Sequence, residues 1–216
     1  LVVTIAFRVP YLVNPASFNS DHAIVGLQGL EILNGYRSWY LWGVGYQSSL
    51  EPVLTAIFYR CFGFSHYGLP VVGITGFVLL IFFGFLSLRR VLGWGRSLLL
   101  AGFAIPSASA ITQITVFPPR VWALTCVFCA IFCLGGKSKK LIGLGAFLAF
   151  FALHIDYYTI QLLPGILFFG YLQNRNNTIN KASFHFGSVV GVVFLVVCRF
   201  LGPEGQVPLA FSCEVA

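Results

Sequence analysis

The stretch GLPVVGITGFVLLIFFGFLSL, residues 68–88, closed by Arg89-Arg90, decides how the rest of the chain is read. It carries no charge and is long enough to cross a bilayer, which takes about 20 apolar residues in a helix. Paired arginines at one end are the kind of flank that stays on the cytoplasmic side. The whole chain shares this character. Of its 216 residues, 58% are hydrophobic and 9% are charged, and the mean hydropathy is +0.88. A soluble domain averages about 25% charged residues. A single soluble core is therefore excluded, and function has to be argued in a bilayer frame.

Working outward, further apolar runs occupy residues 97–117, 120–134, 141–172 and 184–201, and residues 1–7 read as the end of an earlier membrane helix stopped by Arg8 and Pro10. Pro106 marks a kink in the first of these runs. The chain begins inside an apolar run and contains no Met, which reads as a piece of a longer protein. The predicted fold is all-α: a single membrane domain over 1–216, with an exterior loop carrying surface helices at 8–67, transmembrane helices at 68–201 and an exterior tail at 202–216.

Charge fixes the predicted orientation. The net charge of +7 does not point to nucleic acid, because most of the basic residues sit in short loops between spans. Arg89, Arg90, Arg96, Lys137, Lys139, Lys140, Arg175 and Lys181 fall in three such loops with no acid among them. Placing all three loops in the cytoplasm satisfies the positive-inside rule. It also requires 141–172 to cross twice, with a turn near residues 154–158. The acids Asp21, Glu31, Glu51, Asp156, Glu204 and Glu214 then share the exterior face. Cys126, Cys129 and Cys133 lie on one face of an apolar helix with no His or acid beside them, and read as packing residues.

Between the first two spans lie two amphipathic pieces. Residues 20–35 read as a short helix, with Ser20 or Asp21 as its cap, Asn34-Gly35 as its left-handed stop, and Ile24, Leu27 and Leu30 on its apolar stripe. Residues 51–62 are too short to span and carry Arg60, so they are expected to lie flat on the membrane surface. Trp39, Tyr40, Trp42 and Tyr46 suit headgroup depth.

The candidate chemistry follows from the exterior set. A carboxylate at Asp21, Glu51 or Asp156 can take a proton from an acceptor hydroxyl. A divalent metal, Mg or Mn, held at Asp21 would be a second use of that carboxylate. Arg8, Arg60 and Arg120 can grip a donor phosphate, with His22 beside Asp21 in the same polar set. Trp39, Trp42 and Tyr46 can flank a lipid or sugar. Plainer roles compete: Asp21 as a helix cap, Glu51 as a helix-dipole acid, and Asp156 paired with His154 or Arg120.

The segments SDHAIVGLQGLEILNG, WGVGYQSSLEPVLTAIFYRCFG and LPVVGITGFVLLIFFGFLSLRRVLG together resemble the start of GT-C-fold membrane glycosyltransferases, nearest the bacterial relatives of protein O-mannosyltransferases and aminoarabinose transferases. The resemblance covers about residues 8–93. It implies a polyprenyl-phosphate sugar donor, inverting transfer on the periplasmic or equivalent exterior face to a lipid, glycan or protein acceptor, and a catalytic acid at Asp21. The family often has Asp-Glu where this chain has Asp21-His22. Many relatives carry a second acid near residues 116–121, where this chain has Pro118-Pro119-Arg120. Two rival readings are a secondary transporter fragment and a non-catalytic membrane scaffold. Transporters place ionisable residues near the bilayer midplane, whereas the span centres here are free of charge.

Overall fold

The computed structural model describes residues 5, 20–103 and 118–201, and these are mostly helical. The expectations for residues 1–7, Arg8, Pro106, Glu204, Glu214 and the tail 202–216 lie outside the described residues. In order, the chain forms α1 (Ser20–Leu33), strands β1 (Tyr40–Leu41) and β2 (Val44–Ser48), α2 (Leu50–Phe62), α3 (Gly68–Leu92), α4 (Trp94–Phe103), α5 (Pro118–Leu134), α6 (Lys139–Ile155), a 3₁₀ turn (Tyr157–Gln161), α7 (Leu163–Asn174) and α8 (Thr178–Leu201).

Glycines end three of these helices. Gly35, Gly63 and Gly93 all have positive φ, the conformation that glycine enters without a Cβ clash. The Gly63 N–H closes on the Tyr59 carbonyl at 2.9 Å and the Gly93 N–H on that of Arg89 at 3.2 Å. Residues 141–172 do break where the charge rule requires, with Asp156 in extended conformation between α6 and the 3₁₀ turn.

The helices share two ends. Arg90 at the end of α3 donates to the Phe132 carbonyl of α5, and Asn174 at the end of α7 donates to Leu134 at 3.2 Å. Those three C-termini meet where α6 begins. At the opposite end, Asp156 follows α6, Arg120 opens α5, and Arg199 in the last turn of α8 donates to the Gly45 carbonyl at 3.3 Å. Thus α3, α5 and α7 run one way, and α6 and α8 return.

Small residues let these helices approach closely, as in membrane bundles. Val127, Ala130 and Leu134 of α5 pack with Ile142, Ala146, Ala149 and Ala152 of α6, closed by Ile166 and Phe184. Hydroxyls bond across the α3–α5 seam: Thr125 to the Gly76 carbonyl at 3.0 Å and Ser87 to that of Phe128 at 2.9 Å. Among the described residues, two helices are long and apolar enough to cross a membrane, Gly68–Arg90 and Ile179–Phe200. They are 33% and 22% buried in the protein, whereas the core helix of a soluble protein is mostly buried.

Two expectations are corrected. The aromatic segment after α1 is not all loop, because Tyr40–Leu41 and Val44–Ser48 pair as an antiparallel hairpin. The inward face of α1 is not the Ile24–Leu27–Leu30 stripe. Val25, Gly26, Gln28 and Gly29 are buried, while Leu27 is 43% exposed. The reason is closeness. A Cβ on Gly29 would sit 3.2 Å from the Pro52 carbonyl and 3.3 Å from Thr55, so the glycine face lets α2 lie against α1.

Candidate functional site

The hairpin is held from below by one side chain. Gln28 of α1 donates from Nε2 to the Tyr40 carbonyl at 2.9 Å and accepts at Oε1 from the Trp42 N–H at 3.1 Å. Both amide ends are used, which is what a fully buried glutamine requires. Gly43 turns the chain with φ +74°, and the ladder shifts register between Tyr40 and Leu41. Ser49 then ties the hairpin exit back to Trp39 through its N–H at 3.1 Å and to Ser38 through its hydroxyl.

Gln47 of β2 pairs through its backbone with Asp156. This joins the first third of the chain to the end of α6. Asp156 is 1% exposed. Its Oδ1 accepts from the Tyr158 N–H at 3.0 Å, and its carbonyl accepts from the Thr159 hydroxyl at 2.8 Å. Its Oδ2 lies 3.6 Å from Arg120 Nε. The Arg120 guanidinium also sits 5.3 Å from the Tyr158 ring centre, and Tyr158 packs edge-on to Tyr46 at 5.9 Å.

Beside this pair opens a cavity of about 880 Å³. Tyr40, Tyr46, His154 and Tyr157 supply its aromatic lining, and Arg199 its cation. Gly43 and Gly45 leave room between the hairpin's Tyr40 and Tyr46, and Leu153 and Leu195 complete it. His154 contacts Tyr40 at 5.6 Å, Phe194 at 5.3 Å and Trp39 at 6.4 Å between ring centres. Aromatic walls with one guanidinium suit a sugar ring or isoprenoid joined to an anion.

The anticipated residues are distributed unevenly around this cavity. Tyr46 lines it, Trp39 touches its His154 wall, and Asp156 and Arg120 pair next to it. Trp42 is buried and packs edge-on to Tyr36 at 5.8 Å. Asp21 stands exposed in the first turn of α1, with His22 half-buried beside it; none of the contacts described above joins Asp21 to the cavity. Since α1 begins at Ser20, both proposed caps lie inside the first turn. Arg60 is exposed in the last turn of α2, at the opposite end of that helix from Glu51.

Glu51 is 2% exposed, and its Oε2 has no hydrogen-bond partner among the described residues. Burial pushes its carboxyl up from 4.5 to about 8, because desolvation penalises the charged form. At neutral pH it holds its proton, and such a group donates rather than accepts. One turn on, the Thr55 hydroxyl is also buried without a hydrogen-bond partner among the described residues.

A divalent cation needs several oxygen ligands together. Among the described residues no three of His, Cys, Asp and Glu gather, and Asp156 meets a guanidinium. Sequence reasoning passed over Arg199, Tyr157 and Tyr158, and gave Tyr40 only a place at headgroup depth. Arg199 did leave a signal, as a lone cation inside an apolar run. The tyrosines left none beyond their composition.

Compared with known proteins, the chain matches no family model, no curated protein and no solved structure.

Proposed function

We propose that the chain is part of a multi-pass membrane glycosyltransferase that moves a sugar from a polyprenyl phosphate to a lipid, glycan or protein acceptor. Transfer takes place on the exterior face. The observation that carries this reading is the cavity of about 880 Å³, walled by tyrosines and His154 and carrying Arg199, at the end of the bundle opposite the lysine-rich loops. The surface supports a bilayer setting. On α2, Glu51, Thr55 and Tyr59 turn inward while Val53, Ile57 and Phe62 are exposed, the polarity expected of a helix whose outer face meets lipid.

The chemistry divides among the residues. An acceptor hydroxyl attacks the anomeric carbon, its proton passes to a carboxylate, the role that the sequence resemblance rather than the cavity gives to Asp21, and the bond to the donor phosphate breaks. The phosphate leaves with the bonding electrons and its growing charge. Arg199 stabilises that charge from the cavity. Arg120, aimed by Asp156, does so from its edge. The tyrosines hold the sugar and the first isoprene units.

The test is transfer of labelled sugar from polyprenyl phosphate in reconstituted membranes. Arg199→Gln should slow transfer about 10²-fold or more, the usual loss for one charge-stabilising donor. Asp21→Asn should slow it about 10²–10⁴-fold, since the amide takes no proton. Unchanged transfer in Arg199→Gln would remove the cavity from the reading, and unchanged transfer in Asp21→Asn would remove the base.

A further inference from the structure

A second cavity lies at the other end of the molecule. It is an open groove of about 620 Å³ along the seam between α6 and α8. Gly143, Phe147, Phe186 and Val190 form its apolar run, and Lys139 and Lys140, the first residues of α6, line its end. Glycines create the seam: a Cβ on Gly187 would overlap the Gly143 carbonyl, and one on Gly191 would lie 2.8 Å from Phe150. The backbones therefore touch, and the side chains on either side leave a channel. Both lysines are exposed, and neither meets a carboxylate among the described residues. Positive charge at a helix start is also poorly matched to the helix dipole. Arg89, Arg96, Lys137, Arg175 and Lys181 lie in the same loops or in the helix ends that flank them, with no acid among them.

We infer that this groove binds an anionic phospholipid of the cytoplasmic leaflet, with one acyl chain along Gly143, Phe147, Phe186 and Val190 and the headgroup phosphate on Lys139 and Lys140. Charge complementarity selects this occupant. Acyl chains are no more apolar than the lipid they leave, so the groove alone does not discriminate among lipids. Discrimination comes from the lysines, because a basic pocket between helices on this side favours an anionic headgroup. The inference rests on the membrane part of the proposed function and is independent of sugar transfer.

The experiment uses the purified protein in phosphatidylcholine nanodiscs, with bound phosphatidylglycerol counted by native mass spectrometry. Lys139→Gln/Lys140→Gln should lower the preference for phosphatidylglycerol over phosphatidylcholine about 25-fold, at roughly fivefold per lysine. Arg89→Gln/Arg96→Gln, the same charge removed outside the groove, should lower it less than about threefold. Ala182→Trp, which fills the groove from its exposed α8 side and keeps both lysines, should abolish lipid retention with thermal unfolding unchanged. Equal losses in the two double variants would mean general surface attraction and overturn the site. So would displacement of the lipid by millimolar glycerol phosphate, or retention in Ala182→Trp. Failure to enter nanodiscs would overturn the membrane reading along with the site. Entry without lipid preference would overturn the site alone.

Discussion

Glu51→Gln separates a neutral buried carboxyl from an ionised one. The folded protein holds the Glu51 proton up to about pH 8, while the unfolded chain releases it near 4.5. Below pH 4.5 both states are protonated, and the group is neutral to stability. Between 4.5 and about 8 the unfolded chain gains by ionising and the folded one does not. Stability therefore falls by about 1.36 kcal/mol per pH unit and then levels off. At pH 7 the deficit is about 3 kcal/mol. The amide keeps the shape and never ionises, so Glu51→Gln should flatten this slope. It should raise the Tm at pH 7 by roughly 6–12 °C, at about 2–4 °C per kcal/mol for a chain of this size. The assay is intrinsic tryptophan fluorescence during heating in detergent, from pH 4.5 to 8.5. Every other group is common to both proteins and cancels in the difference. A Gln variant less stable than wild type at pH 7, but equal to it at pH 4.5, would mean an ionised, paired Glu51 and refute the reasoning.

Two further substitutions test the frame around the cavity. Gln28→Leu leaves the Tyr40 carbonyl and the Trp42 N–H without their buried partner, at about 1–3 kcal/mol for each orphaned group; thermal unfolding should show the loss, and hydrogen exchange should rise at residues 40–48 more than in α6. Gly187→Ala should destabilise by about 1–3 kcal/mol or more, because its Cβ overlaps the Gly143 carbonyl in a seam with no slack. Gly165→Ala in α7, where a Cβ meets nothing within 4 Å, should instead stabilise by about 0.5–1 kcal/mol; a gain at Gly187 would show that α6 and α8 do not touch there.

Helix ends were the most legible part of the sequence, because a glycine at positive φ after an apolar run leaves a local mark. The break at Asp156 was legible for another reason: the positive-inside rule asks the basic loops to share one side, and a turn near residues 154–158 is what that demands of 141–172. Faces were harder. Periodicity counts large side chains, so it chose Ile24, Leu27 and Leu30 for the inside of α1. The close contact with α2 instead uses Gly26 and Gly29, which carry no hydrophobic signal. Glu51 was misleading for a related reason. A carboxylate in the first turn of a helix reads as solvated and dipole-stabilised, whereas α2 turns its polar side inward.

The hairpin was illegible because its stability is not local. Val44–Ser48 has little strand character; the hairpin is held at Tyr40 and Trp42 by Gln28, from a helix that precedes it, and at Gln47 by the extended Asp156, more than a hundred residues later. Buried peptide groups away from helices must be bonded somewhere, and within a bilayer irregular backbone survives only where it is buried in protein or lines a cavity. Here the residues that leave helical geometry around 40–48 and 156–161 gather at the cavity of Tyr46, His154 and Arg199. The non-helical backbone is thus the scaffold of the site. Gln28 fixes the hairpin, the hairpin fixes Gln47, Gln47 fixes the Asp156 peptide, and Asp156 aims Arg120. Residues away from the cavity therefore set the position of the Arg120 guanidinium, the one proposed to meet the donor phosphate, which makes Gln28 as consequential for the proposed site as the residues lining it.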